Sequence, residues 1–394
     1  VSRGTAAGEG INDALDACTR DYEITLPPVW SRYQLARWLP CADVAEAFGE
    51  EPEHPIRVEL QFAPGFATTN LNRLLIGDAE SAGHGGELKG PVVDPGALRG
   101  NIAEFGKIVA EMIGEGTFDP WLVNMERFRE AFEKTATPPV FFLSTGRCGT
   151  FSLYSLLEKA PTASPYHTFT WQLSQSDRNH LLYRILEGRF DKDVLAGICC
   201  AYLECRAAEM LHAIRNDQTL VVLNHLDTAF APFISVFIPH SRFVYLHRDE
   251  VRTFESYFSK RQWSGQLQYF LYDPAFPQGR FIHQRDPGLG IEGQIAWYLH
   301  LTRVFSTAFL ESVPAGRAVT LKCEDLFAQD DAAMAALRET LPLGDISTED
   351  LRRHFSRKLN AKDEFIDHSI GDLKERGEAV RNHLENLENT GRPS

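Results

Sequence analysis

Pro139-Val140-Phe141-Phe142-Leu143-Ser144-Thr145-Gly146-Arg147-Cys148-Gly149-Thr150-Phe151-Ser152-Leu153 is the stretch that decides how this chain is read. It opens with an apolar run of strand length, Pro139 to Leu143. Two glycines then bracket a cation, and the residues from Phe151 to Ala160 take up helical spacing. Strand, glycine turn and helix start in succession make an anion cradle. Glycine lets backbone come close to a ligand, and the first N–H groups of a helix have no internal partner. Arg147 adds charge, while Thr150 and Ser152 add hydroxyls. The pattern GxxxxGK[ST] is not matched, because this loop is shorter and its cation is an Arg between the glycines. The loop predicts a bound anion and argues against magnesium-ATP held in the usual manner.

Outward from this loop, residues 138–394 alternate between strand and helix. Strand candidates are Val140–Ser144, Leu220–Asn224, Phe243–His247 and Ala318–Cys323. Helix candidates between them include Ala196–Asn216, Glu250–Lys260 and Ile291–Leu310. Short, almost wholly apolar strands between helices predict an α/β domain, with a central parallel sheet covered by helices on both faces. Ligands in such sheets bind beyond the carboxyl ends of the strands.

Residues 1–137 have another texture and read as an N-terminal α+β extension. Loop clusters occur at 81–86 and 90–96, and Ile56–Phe62 alternates like a strand. Asn101–Ile113 sets Ile102, Phe105, Ile108, Val109 and Met112 on one helical stripe. Pro120–Lys134 follows Asp119, an N-cap with Pro at the first helical position. The roles open to the extension are capping a ligand cleft or mediating a homodimer.

Bulk composition narrows the class. The 394 residues are 43% hydrophobic and 24% charged, as in ordinary globular proteins. A formal net charge of -14 argues against nucleic acid and anionic membrane surfaces as partners. No apolar run approaches the roughly 20 residues that span a bilayer. The residues Val1–Ala6 show no signal pattern, and cytoplasmic localisation is the expectation. Seven cysteines (Cys18, Cys41, Cys148, Cys199, Cys200, Cys205 and Cys323) are scattered without a C-x-x-C pair, which suggests reduced thiols and no zinc site. Cys148 reads as a small filler, although Arg147 beside it could acidify its thiol.

Two further segments carry chemistry. Phe243-Val244-Tyr245-Leu246-His247-Arg248 runs into Asp249, an N-cap candidate for the next helix, and Ser256 lies about two turns into that helix. An Arg fork and a helical hydroxyl can grip one phosphate from two sides. Leu220-Val221-Val222-Leu223-Asn224-His225-Leu226 brings His225 to the end of another strand, as a general-base candidate.

Together these segments resemble the sulfotransferase family that uses 3′-phosphoadenosine 5′-phosphosulfate (PAPS). Thr145-Gly146-Arg147-Cys148-Gly149-Thr150 is similar to the family's 5′-phosphosulfate loop, in the Arg-containing form of carbohydrate-type and bacterial members. Tyr245 to Ser256 resembles its 3′-phosphate segment, and Asn224-His225-Leu226 its Thr-His-Leu stretch. Lys322-Cys323-Glu324-Asp325-Leu326 resembles its late Tyr-Glu-Asp-Leu strand end. The chain departs at Leu223, where cytosolic members place a Lys, and lacks their carboxyl-terminal Arg-Lys-Gly segment.

The resemblance implies a P-loop-like fold and sulfuryl transfer from PAPS to a small-molecule or carbohydrate hydroxyl, releasing adenosine 3′,5′-bisphosphate (PAP) without a metal. Thr145 to Ser152, with Phe151 among them, would hold the 5′-phosphosulfate, and Arg147 would stabilise its developing charge. Arg248 and Ser256 would hold the 3′-phosphate. His225 would be the base, with His167 the competing candidate. Arg252, Lys260 and Arg261 are further cations, and the loop Trp263–Phe281 could line an acceptor pocket. The alternatives are a P-loop kinase of a nucleotide or small metabolite, and a non-catalytic nucleotide-binding protein.

Overall fold

A computed structural model describes residues 94–117, 137–167, 181–182, 184–259, 291–356 and 373–390. The expected strand Ile56–Phe62, the loop cluster at 81–86, the helix Pro120–Lys134, the loop Trp263–Phe281, Lys260, Arg261, Cys18 and Cys41 lie outside the described residues.

Strands β1 (Val140–Leu143), β2 (Ala163–Tyr166), β3 (Thr219–Val222), β4 (Arg242–His247) and β5 (Ala318–Lys322) form one sheet in the order β2-β3-β1-β4-β5. Every pairing is parallel, with Phe141 facing Val222 on one side and Phe243 on the other. The α/β reading is thereby correct. Alternate strand residues feed two cores, as a two-residue side-chain period requires. Phe141, Leu143, Leu220, Val222, Phe243 and Tyr245 face one core, and Val140, Phe142, Val221, Leu223, Val244 and Leu246 the other.

Helices cover each face. The first core takes in α1 (Pro95–Gly114), α3 (Lys192–Arg215), α4 (Ala231–Phe237), α5 (Glu250–Ser259), α6 (Ile291–Ser312) and α10 (Leu373–Thr390). The second core takes in α2 (Thr150–Leu157), α7 (Cys323–Phe327), α8 (Asp331–Thr340) and α9 (Thr348–Phe355). Within the segment that the sequence sets apart as an extension, α1 buries Leu98, Ile102, Phe105, Val109 and Met112 in the same core as the strands. It begins at Pro95 rather than Asn101, because Asp94 caps it by accepting from the Gly96 amide at 2.8 Å.

Topology sets where a ligand can sit. From β1 the chain moves to β2, beyond β3, whereas from β4 it moves outward to β5. The loops after β1 and β4 therefore part at neighbouring carboxyl ends, which is the switch point where open α/β sheets bind ligands. No helix among the described residues is long and apolar enough to cross a membrane.

Candidate functional site

The loop after β1 is built of left-handed backbone. Gly146 has φ 76°, Arg147 58° and Gly149 92°. Glycine takes this conformation freely, while Arg147 bears a cost of roughly 1–2 kcal/mol that its surroundings must offset. The restraints are plain. Ser144 N–H donates to Thr228 Oγ1 at 3.1 Å, and Gly146 N–H donates to Ser144 Oγ at 3.2 Å. The Thr145 carbonyl accepts from two tyrosines, Tyr257 of α5 and, at 2.9 Å, Tyr298 of α6. A Cβ on Gly146 would stand 2.8 Å from the Tyr257 hydroxyl and 3.2 Å from Cγ of His225. A Cβ on Gly149 would stand 3.1 Å from Sγ of Cys323. A side chain at Gly146 would force Tyr257 to move, and one at Gly149 would press on Cys323 at a left-handed position.

Gly149 is also the N-cap of α2 and offers no side-chain cap. The amides of Thr150 and Phe151 that open the helix are consequently left for a ligand or solvent, while that of Ser152 donates to the Gly149 carbonyl at 3.0 Å. Cys148 packs inward at 1% exposure, 3.0 Å from Thr145 Oγ1. Burial pushes its thiol up to about 11, against the lowering effect of its hydrogen bonds with Thr145 and of the Arg248 charge. Its burial fits the filler reading, and its thiol is raised rather than acidified.

The two arginines meet. Arg147 Nε donates to Ser256 Oγ at 3.2 Å, reaching from the loop to α5. Arg248 Nη1 donates to the carbonyl of Arg147 at 3.2 Å. Burial, and next among the causes that lower it the Arg248 charge, hold the Arg147 guanidinium below its ordinary pKa. Such crowding of cations favours an anion between them. Arg248 also faces Glu324, with Nε 3.9 Å from Oε1, and that oxygen accepts from the Asp249 amide at 3.1 Å. Asp249 caps α5 as expected, accepting from the Arg252 amide at 2.9 Å. Oε2 of Glu324 is buried without a hydrogen-bond partner.

Both candidate bases flank the loop. His225 lies beyond the end of β3, which stops at Val222, and it opens a 3-10 turn, His225–Phe230. Its ring rests against Gly146. His167, just after β2, has Nε2 at 3.0 Å from Thr150 Oγ1, while its Nδ1 is buried with no partner. With Nε2–H donating to Thr150, the Nδ1 lone pair is a base. Burial and then the Arg147 charge lower the His167 pKa, which keeps it neutral and proton-accepting near pH 7. Phe151 and Tyr154 pack around its ring at 5.6 and 5.7 Å. Phe151 itself is 44% exposed beside the loop.

Ser152 is not brought to the loop's other donors. It is 4% exposed, and its hydroxyl lies 3.1 Å from Nε2 of His354 on α9. That helical position turns toward the second core, where α9 packs. Sequence reading also misses Tyr257, Tyr298 and His354, which reach Thr145 or Ser152 across long stretches of chain and are marked by no local pattern. It gives no role to Glu324, which faces Arg248. Glu324 alone falls in a quoted motif.

Among the described residues, no group of three or more His, Cys, Asp or Glu is placed to hold a metal ion. No family model, curated protein or solved structure matches this chain.

Proposed function

We propose that this site moves a sulfuryl group from PAPS to an acceptor hydroxyl. The observation carrying the reading is the chain of contacts from Arg248 to the Arg147 carbonyl and from Arg147 to Ser256. These residues come from separate segments, and two cations, a hydroxyl and a helix start converge on one end of the sheet. Gly146 and Gly149 leave the backbone bare, and a doubly phosphorylated nucleoside has anionic groups for both arginines. Buried, unpaired thiols at Cys148, Cys199 and Cys323 favour a reducing, cytoplasmic setting.

In the transfer, the acceptor oxygen bonds to sulfur as the bond from sulfur to the bridging phosphate oxygen breaks. Arg147 and the opening amides of α2 stabilise the charge left on that phosphate, an effect typically worth about 3–4 kcal/mol of barrier. A histidine takes the acceptor's proton, worth about 100- to 10,000-fold in rate. His225 touches Gly146 and is the first choice. His167 offers a buried free nitrogen and is the second. Arg248 and Ser256 select PAPS over ATP by holding the 3′-phosphate. The acceptor class is a sugar or other small-molecule hydroxyl.

The experiment is sulfuryl transfer from labelled PAPS to a panel of sugars and aliphatic alcohols, alongside PAP calorimetry. His225→Ala is expected to abolish transfer while leaving PAP affinity nearly intact. If His167→Ala does so instead, the base is His167. Magnesium-dependent turnover of ATP without PAP binding would make the protein a kinase and end the sulfuryl-transfer reading. PAP binding with no transfer to any acceptor would make it a binding protein.

A further inference from the structure

The turn carrying His225 is fastened by a buried ionic network that transfer chemistry does not use. Asp227 and Arg206 of α3 are each 5% exposed. Arg206 donates from Nη2 to Oδ1 of Asp227 at 2.7 Å and from Nε to Oδ2 at 3.0 Å. The Tyr202 hydroxyl donates to Oδ2 at 2.9 Å, and Nδ2 of Asn224 donates to Oδ1 at 3.1 Å. The remaining Arg206 nitrogen, Nη1, donates to both carboxylate oxygens of Glu209, at 2.9 and 2.7 Å. Buried pairs of this kind add little net stability, because desolvation offsets their attraction. Their usual return is a fixed geometry.

The geometry fixed here is that of His225. Asn224 and Asp227 bracket it and are joined twice: by side chains, and by the Asp227 amide donating to the Asn224 carbonyl at 3.1 Å. The next residue ties the turn to β1, since Thr228 Oγ1 accepts from the Ser144 amide at 3.1 Å and contacts its carbonyl at 3.3 Å. One turn is thus registered against α3 behind it and against the anion loop in front.

We propose that Asp227, locked by Arg206 and Tyr202, is the positioning residue for His225, holding the imidazole against Gly146 in the orientation that meets an acceptor hydroxyl. The proposal deepens the sulfuryl-transfer reading and rests on it for the purpose of the positioning. A displaced base loses about 100-fold in rate for a shift of roughly 1 Å.

The test is ring nitrogen NMR of the full chain, with the His225 signal assigned by its loss in His225→Gln, together with PAP calorimetry. In Asp227→Asn the His225 signal and its titration midpoint are expected to move. Signals of the other histidines should stay, and PAP affinity should remain within about twofold, as for independent sites. An unchanged His225 signal in a folded Asp227→Asn overturns the proposal, as does a shift shared by all the histidines. If Asp227→Asn does not fold, Tyr202→Phe removes a single donor, keeps the ion pair and is read in the same way. Failure of the unaltered protein to bind PAP would sink the transfer reading alone, and the His225 signal would still decide this one.

Discussion

Gly146→Ala tests whether the anion loop is held as tightly as its contacts require. Alanine at φ 76° occupies left-handed backbone, at about 1–2 kcal/mol. Its Cβ would lie 2.8 Å from the Tyr257 hydroxyl, closer than carbon and oxygen can stand. Tyr257 is 4% exposed and donates to the Thr145 carbonyl, so it cannot retreat without giving up that bond. Losing it costs about 0.5–1.5 kcal/mol, limited because Tyr298 still serves the same carbonyl. The contributions add to roughly 1.5–3.5 kcal/mol. In urea denaturation the unfolding free energy should fall by that amount, seen as a lower midpoint with an unchanged slope. PAP affinity should fall as well, because the loop carries the donors. A loss below about 0.5 kcal/mol, the range of ordinary surface changes, with unaltered PAP binding would refute the reasoning.

Other outcomes follow from the same contacts. Cys148, buried and with its thiol raised to about 11, should resist alkylation in the native state at about pH 8, where an exposed thiol reacts readily. Fast native labelling there would contradict the packing. His300 in α6 is 5% exposed, and burial, followed by the Arg303 charge, lowers its pKa to about 4. The unfolded chain binds this proton first, so His300 supports the fold above about pH 6.5. That support is lost as pH falls toward about 4. His300→Gln should flatten this part of a stability–pH curve measured by thermal melting, and an unchanged slope would contradict the assignment.

The central strands are legible in sequence because both faces are buried, leaving near-continuous runs such as Val140–Leu143 and Phe243–Leu246. Expected ends overshoot at Ser144 and Asn224, which lie in the loops after β1 and β3, and at Cys323, which opens α7. Strand β2 is not legible. Ala163-Ser164-Pro165-Tyr166 lies on the sheet's edge and pairs with β3 alone, so it tolerates a Pro that a central strand would not.

At the site, the glycine spacing and the two arginines are visible because each belongs to a short motif. What fixes them is not. Tyr257 and Tyr298 reach the Thr145 carbonyl from 112 and 153 residues away, and His354 reaches Ser152 from 202. Hydroxyl and imidazole partners of this kind leave no periodic trace, since only the folded sheet brings them together. Ser152 shows the converse error. A hydroxyl beside a phosphate-type loop invites a ligand role, but helical geometry turns it toward His354.

The central claim is that Arg147 and Arg248 grip one ligand. A double-mutant cycle with Arg147→Ala and Arg248→Ala, read by PAP calorimetry, tests it most directly. Each single change should cost about 1.5–3 kcal/mol of binding, as for a charged hydrogen bond. The two should couple by about 0.5–3 kcal/mol, as contacting residues do. PAP affinity untouched by either change, or strictly additive losses, would contradict the account.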